Sequence, residues 1–329
     1  MVRVDGLGDA LACTPLLAAL RSSGHRVGAV LTARNAGIFS ARALDTEHIV
    51  ERIPWPQHGY TAPTWECALR EVRARNYDVA LIPSEEPQAY TFAKQAGILQ
   101  RVGFHNGWQK PFKSWWVRRQ LSRSIFRFAS LSAHAQSEPF VLFELGDKLV
   151  HESEPTRDTA RLRPVILDRE PPRAALPVVQ LTRKWLGGNR SASDVRAWMS
   201  AVCGQRPWRF VAPADERAAV EAIAEACTTK VDYFSQVAPW KEAIAQAPLL
   251  ITPDTGAAHL AGMVGTPVVD IFESANFSRQ AARWTPWAAP ARLLSFPSSP
   301  HEKGAFAEHI LSAADSLLSV QDTPACAHS

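Results

Sequence analysis

Near the far end of the chain, Pro253-Asp254-Thr255-Gly256-Ala257-Ala258-His259 separates two strand-like apolar runs, Pro248 to Thr252 and Pro267 to Phe272. The space between them holds little besides a tight turn and one small-residue helix. An acid, a hydroxyl, a flexible glycine and a histidine therefore fall at the carboxyl end of a strand, where open α/β sheets bind ligands. Unpaired amides at the new helix's N-terminus suit a phosphate. Capping alone would employ Asp254 or Thr255, with His259 packed inside the helix. It leaves the rest of the block without a role.

The opposite end repeats the pattern. Val2-Arg3-Val4 leads into Asp5-Gly6-Leu7-Gly8-Asp9 and then an Ala/Leu-rich helix to about Leu20. This is half of a dinucleotide fingerprint without its third glycine, a weak nucleotide signal. It does place a carboxylate, Asp9, where a helix begins, as a cap, as a base, or as both. Gly6 and Gly8 would let a second substrate approach the backbone closely.

Between these ends, short apolar runs alternate with helical segments. Strands are expected at Val2–Val4, Arg26–Leu31, His48–Ile53, Val79–Ile82 and Arg101–Phe104, and helices at Ala10–Leu20, Ala36–Ala43, Thr64–Arg75 and Pro87–Ala96. From Ser114 to about Ser132 no clean period appears, and a loop followed by a helix is expected, then a helix from Glu138 to Val150. The prolines and arginines from Ser153 to Pro177 argue against regular helix and for an interdomain linker. Alternation then resumes with strands Val178–Leu181, Arg209–Ala212, Leu249–Thr252 and Val268–Phe272. The helices expected with them are Ala192–Cys203, Asp215–Ala226, Pro239–Ala247, Ala257–Met263 and Ala305–Ser319. The polar tail after Val320 is expected to be disordered. Such alternation predicts an α/β fold with parallel sheets covered on both faces.

Two Rossmann-like domains result, 1–160 and 161–329, with the last helix free to pack back on the first. Ligands would lie in a cleft between facing domains, with Asp9 and the 254–259 block on opposite sides.

After strand Val178–Leu181 come Thr182-Arg183-Lys184-Trp185 and the pair Gly187-Gly188. Lys184 as a point charge and Arg183 as a fork could reach a diphosphate, or the stretch is a solvated basic loop. At 46% hydrophobic residues the chain is globular, yet no run is long and apolar enough to span a bilayer. No secretory pattern opens it, and five scattered cysteines lack metal-like pairing. A reducing, cytoplasmic setting and reduced thiols are expected.

The net charge of +4 is unevenly spread. Arg101, Lys110, Lys113, Arg118, Arg119, Arg123 and Arg127 occur with no acid among them, interleaved with Phe104, Trp108, Phe112, Trp115, Trp116, Phe126 and Phe128. Bulky rings and cations suit an anionic acceptor at a membrane surface. Nucleic acid uses the same ingredients, but no nucleic-acid fold pattern is present. A solvated basic face over core aromatics would also produce this composition.

Asp5-Gly6-Leu7-Gly8-Asp9 with Thr14-Pro15-Leu16-Leu17, Arg101-Val102-Gly103-Phe104, Lys184-Trp185, Asp254-Thr255-Gly256 through His259-Leu260-Ala261, Gly265-Thr266-Pro267-Val268-Val269 and Trp284-Thr285-Pro286-Trp287 occur in one order along the chain. Together they resemble glycosyltransferase family 9, the family of ADP-heptose:lipopolysaccharide heptosyltransferases with the GT-B fold. Gly187-Gly188-Asn189 departs from it, standing where a proline-containing stretch is expected.

The resemblance implies inverting transfer from a nucleotide-diphosphate sugar, by default heptose from ADP-heptose, onto a lipopolysaccharide-core or related glycan, with no cofactor and no metal. Asp9 would be the general base, and Thr182, Lys184, Asp254, Thr255, Gly256 and His259 the donor site. Carboxylates are weak bases near neutrality but serve where proton transfer is late. Lys184 and amides near Thr255 would meet charge building on the leaving diphosphate. Arg118, Arg119 and Arg123 would meet an anionic glycan or lipid-linked acceptor, with peripheral contact at the inner membrane and no nucleic acid bound. A nucleotide-binding protein of this fold without transferase activity, or a nucleotide-sugar epimerase-like enzyme, are the alternatives.

Overall fold

The computed structural model describes residues 1–52, 63–128, 136–225, 227 and 230–321. Expectations reaching Ile53, residues 129–132, Ala226, Cys326 and the tail after 321 lie outside them. The chain divides into two compact units, Met1–Asp168 and Arg169–Ser329.

The first unit holds parallel strands β1 (Gly28–Thr32), β2 (Thr46–Val50), β3 (Val79–Ile82), β4 (Gln100–His105) and β5 (Arg123–Phe126). Residues 1–4 are too short for a ladder and make one bridge, Val2 to Val30. They nonetheless lie between β1 and β3: Arg3 N donates to Val30 O and Val2 N to Leu81 O, each at 2.9 Å. From this first segment the chain runs out through β1 and β2 on one side, then through β3, β4 and β5 on the other. The order reverses there, and residues 5–9 leave its carboxyl end.

Helices α1 (Leu7–Leu11), α2 (Thr14–Ser22), α3 (Pro63–Ala74), α4 (Pro87–Gln95), α5 (Pro111–Gln120), α6 (Glu138–Phe143) and α7 (Thr159–Ile166) complete the unit. Trp65, Ala68, Leu69 and Val72 form the i, i+3, i+4, i+7 stripe that buries α3 against Val50, Ala80 and Ile82.

Several expectations fail for identifiable reasons. Residues 36–43 form turns instead of a helix: Gly37 sits at φ +69°, and the Ser40 amide donates to Val165 O at 2.8 Å. The stretch from Ser114 is helix α5 and then strand β5. Helix α6 stops at Phe143, and the following turn packs so tightly on α2 that a Cβ on Gly146 would stand 2.5 Å from Leu16 Cδ1. Within the proline-rich stretch, α7 forms despite Pro164. Asp158 caps its Ala160 amide at 2.9 Å, and Leu162, Val165 and Ile166 are buried.

The second unit is one parallel sheet in the order β11-β10-β9-β6-β7-β8. Its strands are β6 (Val178–Gln180), β7 (Arg209–Pro213), β8 (Val231–Phe234), β9 (Leu250–Pro253), β10 (Val268–Phe272) and β11 (Ala291–Ser295). The helices are α8 (Ala192–Cys203), α9 (Arg217–Ala224), α10 (Val237–Ala245), α11 (Gly256–Val264), α12 (Phe277–Trp284) and α13 (Pro300–Gln321). Strands β8 and β11 are the sheet's edges, and their half-buried, mixed composition hides them from an apolar-run reading. Helix α13 packs within its own unit, with Phe306 edge-on to Trp198 of α8 at 4.8 Å between ring centroids.

Candidate functional site

The strand order of the second unit reverses between β6 and β9, the position at which doubly wound sheets bind ligands outside their carboxyl ends. Two loops leave the sheet there. Thr182 follows β6 and caps a short turn over Arg183–Leu186, its hydroxyl accepting from the Lys184 amide at 3.3 Å. Thr255 follows β9 and caps α11, accepting from the Ala257 amide at 3.3 Å. The Lys184 ammonium donates to the Asp254 carbonyl and so joins the two loops. A cation thus stands beside the amides that begin α11.

His259 lies one turn into α11, its Nε2 3.7 Å from Asp254 Oδ1 and its ring 5.1 Å from that of Trp284. Arg183 is held elsewhere, its amide and Nε both on Glu216 at 2.7 and 3.1 Å.

The glycine pair has an internal purpose. A Cβ on Gly187 would stand 2.9 Å from Arg190 Nη2 and 3.3 Å from Glu273 Oε1, and Gly188 sits at φ +62°. The turn wraps around the Arg190 guanidinium, which donates to the carbonyls of Lys184 and Trp185 at 2.8 and 3.0 Å and lies 3.6 Å from the Phe296 ring centre.

Beneath the site, in β10, the Asp270 carboxyl is fully buried, and among the described residues no side chain hydrogen-bonds to it. Burial, then the nearby Asp254 charge, pushes it well above the ordinary carboxylate range against the pull of Lys184. Arg190, Glu273 and Asp270 were not anticipated from sequence. An acid inside the run Val268–Phe272 was the available signal for Asp270.

In the first unit, Asp9 lies in the opening turn of α1, at the carboxyl end of the 1–4 segment. Arg3 Nη2 reaches Asp9 Oδ1 at 2.9 Å, and the Gly6 amide donates to Oδ2 at 3.0 Å. A Cβ on Gly6 would stand 2.9 Å from that same oxygen, so the missing side chain makes room for Asp9 itself. Arg3 is nearly fully buried, also contacts Asp5 at 3.3 Å, and donates to the Pro83 carbonyl. Burial opposes its charge, but the Asp9 and Asp5 carboxylates overcome this and hold it firmly cationic. The carboxylate that could act as a base is therefore fixed by a cation and an amide while its side chain stays about one-third exposed. Close by, burial pushes the Cys13 thiol up to about 12, leaving it inert.

Comparison with known proteins agrees with the second unit's architecture. The family model described as glycosyltransferase family 9 (heptosyltransferase) matches residues 204–306. That match lies wholly within the second unit. The match includes Asp254 through His259 and ends within α13.

Among solved structures, the chain is similar to E. coli heptosyltransferase WaaC with ADP, at 17% identity over 95% of this chain and 98% of that one, with TM-score 0.71. It is similar to a family 9 glycosyl transferase from Veillonella parvula DSM 2008 at 16% identity, 97% and 96% coverage and TM-score 0.67. E. coli ADP-heptose lps heptosyltransferase II gives 14%, 98% and 99%, and 0.65. No curated protein sequence matches the chain. These likenesses give it a two-domain α/β architecture resembling the GT-B fold.

The three arginines expected at an acceptor surface differ in their surroundings. Both Arg123 nitrogens are paired with Asp147 at 2.6 Å. Arg118 lies against the His105 ring at 3.2 Å, and Arg119 over Trp115 at 3.9 Å. Among the described residues, no group of three or more His, Cys, Asp or Glu side chains could hold a metal ion, and no helix is long and apolar enough to cross a membrane. None of the four described cysteines forms a disulfide with another.

Proposed function

We propose that this chain is an inverting glycosyltransferase that moves a sugar from a nucleoside-diphosphate sugar, by default heptose from ADP-heptose, onto a lipopolysaccharide-core or related anionic glycan. Its carrying observation is the Lys184–Asp254 link at the switch point of the second sheet, which sets a cation beside the α11 amides. Thr182, Thr255, Gly256 and His259 surround that point and would hold the donor. The acceptor hydroxyl attacks the anomeric carbon, and its proton passes to the Asp9 carboxylate. The bond from that carbon to the diphosphate breaks, and its electron pair leaves with the diphosphate, whose growing charge Lys184 and the α11 amides meet. No metal is required. We place the reaction in the cytoplasm, with Arg118 and Arg119 better disposed than the Asp147-bound Arg123 to meet an anionic acceptor.

The test is incubation of the full chain with ADP-, UDP- and GDP-sugars, following slow donor hydrolysis and nucleotide binding. Hydrolysis of one donor class is expected. Failure to bind or hydrolyse any would sink the reading, and binding without turnover would point to an idle nucleotide-binding protein. Asp9→Asn should abolish transfer and leave nucleotide affinity nearly unchanged, because the proton moves only in the transition state.

A further inference from the structure

Seven large apolar side chains are exposed among the described residues, and six of them fall between Leu99 and Phe128. Trp108 is 94% and Phe112 89% exposed. Exposed rings recur along α5 at Phe112 and Trp115, with Arg119 one turn further, its guanidinium stacked on Trp115. This i, i+3, i+7 spacing keeps them on one stripe of the helix.

Phe126 and Phe128 pack edge-on at 5.0 Å. Phe126 also closes on the turn that carries Trp108, since a Cβ on Gly107 would stand 3.1 Å from its ring. Exposed apolar groups gathered in this way mark an interaction surface, whereas scattered ones need no explanation.

Charge identifies the partner. No acid occurs from Arg101 to Phe128. The acids that reach this region are engaged: Glu85 by Lys113 and Arg127, Glu138 by Arg127, and Asp147 by Arg123. Among the described residues Arg118 and Arg119 are exposed and form no carboxylate ion pair, and exposed Lys110 feels only the charge of Glu85, which Lys113 and Arg127 already hold in direct contact. Arg118 lies against His105, whose burial and proximity to that arginine push it below the usual imidazole range, so this neighbour favours its neutral form and does not offset the arginine's charge. Tryptophan and phenylalanine flanked by lysine and arginine are the composition of surfaces that sit in the headgroup layer of anionic bilayers.

We propose that the face formed by Trp108, Phe112, Trp115 and Phe126, with Lys110 and Arg119, docks this chain on an anionic lipid bilayer. The rings enter the headgroup boundary while the cations meet lipid phosphates. This rests on the surface alone and stands whether or not the chain transfers a sugar.

The full chain should co-sediment with vesicles containing phosphatidylglycerol, and much less with pure phosphatidylcholine. Trp108→Ser with Phe112→Ser, and separately Lys110→Ser with Arg119→Ser, should each weaken binding. The second pair should do so by about fivefold per cation removed at low salt, and the loss should shrink as salt is raised. All four positions are exposed, so unchanged circular dichroism and unfolding midpoint are expected of both variants.

Equal binding to neutral vesicles, or no effect of either variant, overturns the proposal. So does binding of heparin or a single-stranded oligonucleotide that matches the vesicles and ignores the ring substitutions, since the face would then be a general polyanion site.

Discussion

Arg190 and Glu273 form a two-pronged ion pair, Nη2 to Oε1 at 2.6 Å and Nη1 to Oε2 at 2.9 Å, that ties the loop carrying Lys184 to the loop leaving β10. The arginine side chain is 3% exposed and the glutamate 48%. The guanidinium also holds the carbonyls of Lys184 and Trp185, so it fixes the backbone from which Lys184 extends.

Glu273→Gln is expected to cost about 1–2 kcal/mol of stability, below the 3–5 of a fully buried pair because the glutamate is half in solvent. It should also weaken ADP binding severalfold. Arg190→Lys should not restore that affinity, since an ammonium cannot reproduce the planar fork. Urea unfolding and calorimetric ADP titration measure both effects, and wild-type ADP affinity in Glu273→Gln would remove the positioning role.

Lys184→Ala is expected to weaken nucleoside-diphosphate binding by about 1.5–3 kcal/mol, the worth of one charge-assisted contact, or roughly tenfold to a hundredfold. Titration of ADP, UDP and GDP into both proteins would also rank the bases. Equal affinity with and without Lys184 would exclude it as a phosphate ligand.

Gly262, on the buried side of α11, has no room for even a methyl group: a Cβ there would stand 2.5 Å from Trp287 N and 2.9 Å from Pro286 Cα. Both neighbours are backbone, which cannot rotate aside. The segment Thr285-Pro286-Trp287 is pinned further by the Ala288 amide donating to the Gly262 carbonyl at 2.9 Å. Gly262→Ala should cost about 1–3 kcal/mol through overpacking, read as a lower urea midpoint. Because α11 carries Thr255 and His259, ADP affinity should fall with it. A variant as stable as the parent would show that the segment can retreat.

The sequence makes the interior strands legible because parallel strands buried on both faces read as continuous apolar runs; Val79–Ile82 and Val268–Phe272 match to the residue. Edge strands escape that reading. Val231–Phe234 carries Asp232, and Ala291–Ser295 carries Arg292, each half in water. Helix α5 is hidden because its large rings Phe112 and Trp115 lie on the exposed face, while the buried face offers only Ser114 and Val117 as a signal. At the donor-side site, local composition places Lys184 and Asp254 after two different strands. Their contact follows from the order β9-β6, which no local pattern states. The pair Arg190–Glu273 spans 83 residues and has no local signature at all. Asp270 stays hidden in the sequence because one acid does not break an apolar run, although burying it is costly enough to need a reason.

That cost gives Asp270 a readable signature. An acid whose range is raised by folding contributes stability that is fully present below its ordinary value of 3.8 and is lost as pH rises through the folded value. Asp270→Asn carries no charge at any pH and so escapes this loss. The variant should gain on the parent progressively from pH 4 to pH 8, whatever its offset at the acid end. Lys184 opposes the shift, so in a Lys184→Ala background ionising Asp270 should be costlier still and the gain on changing it to Asn larger. Urea midpoints of the four proteins across that range measure the slopes. A difference between Asp270→Asn and the parent that stays constant with pH would mean that Asp270 is ionised in the folded chain throughout, paired by Lys184 instead of held neutral by burial.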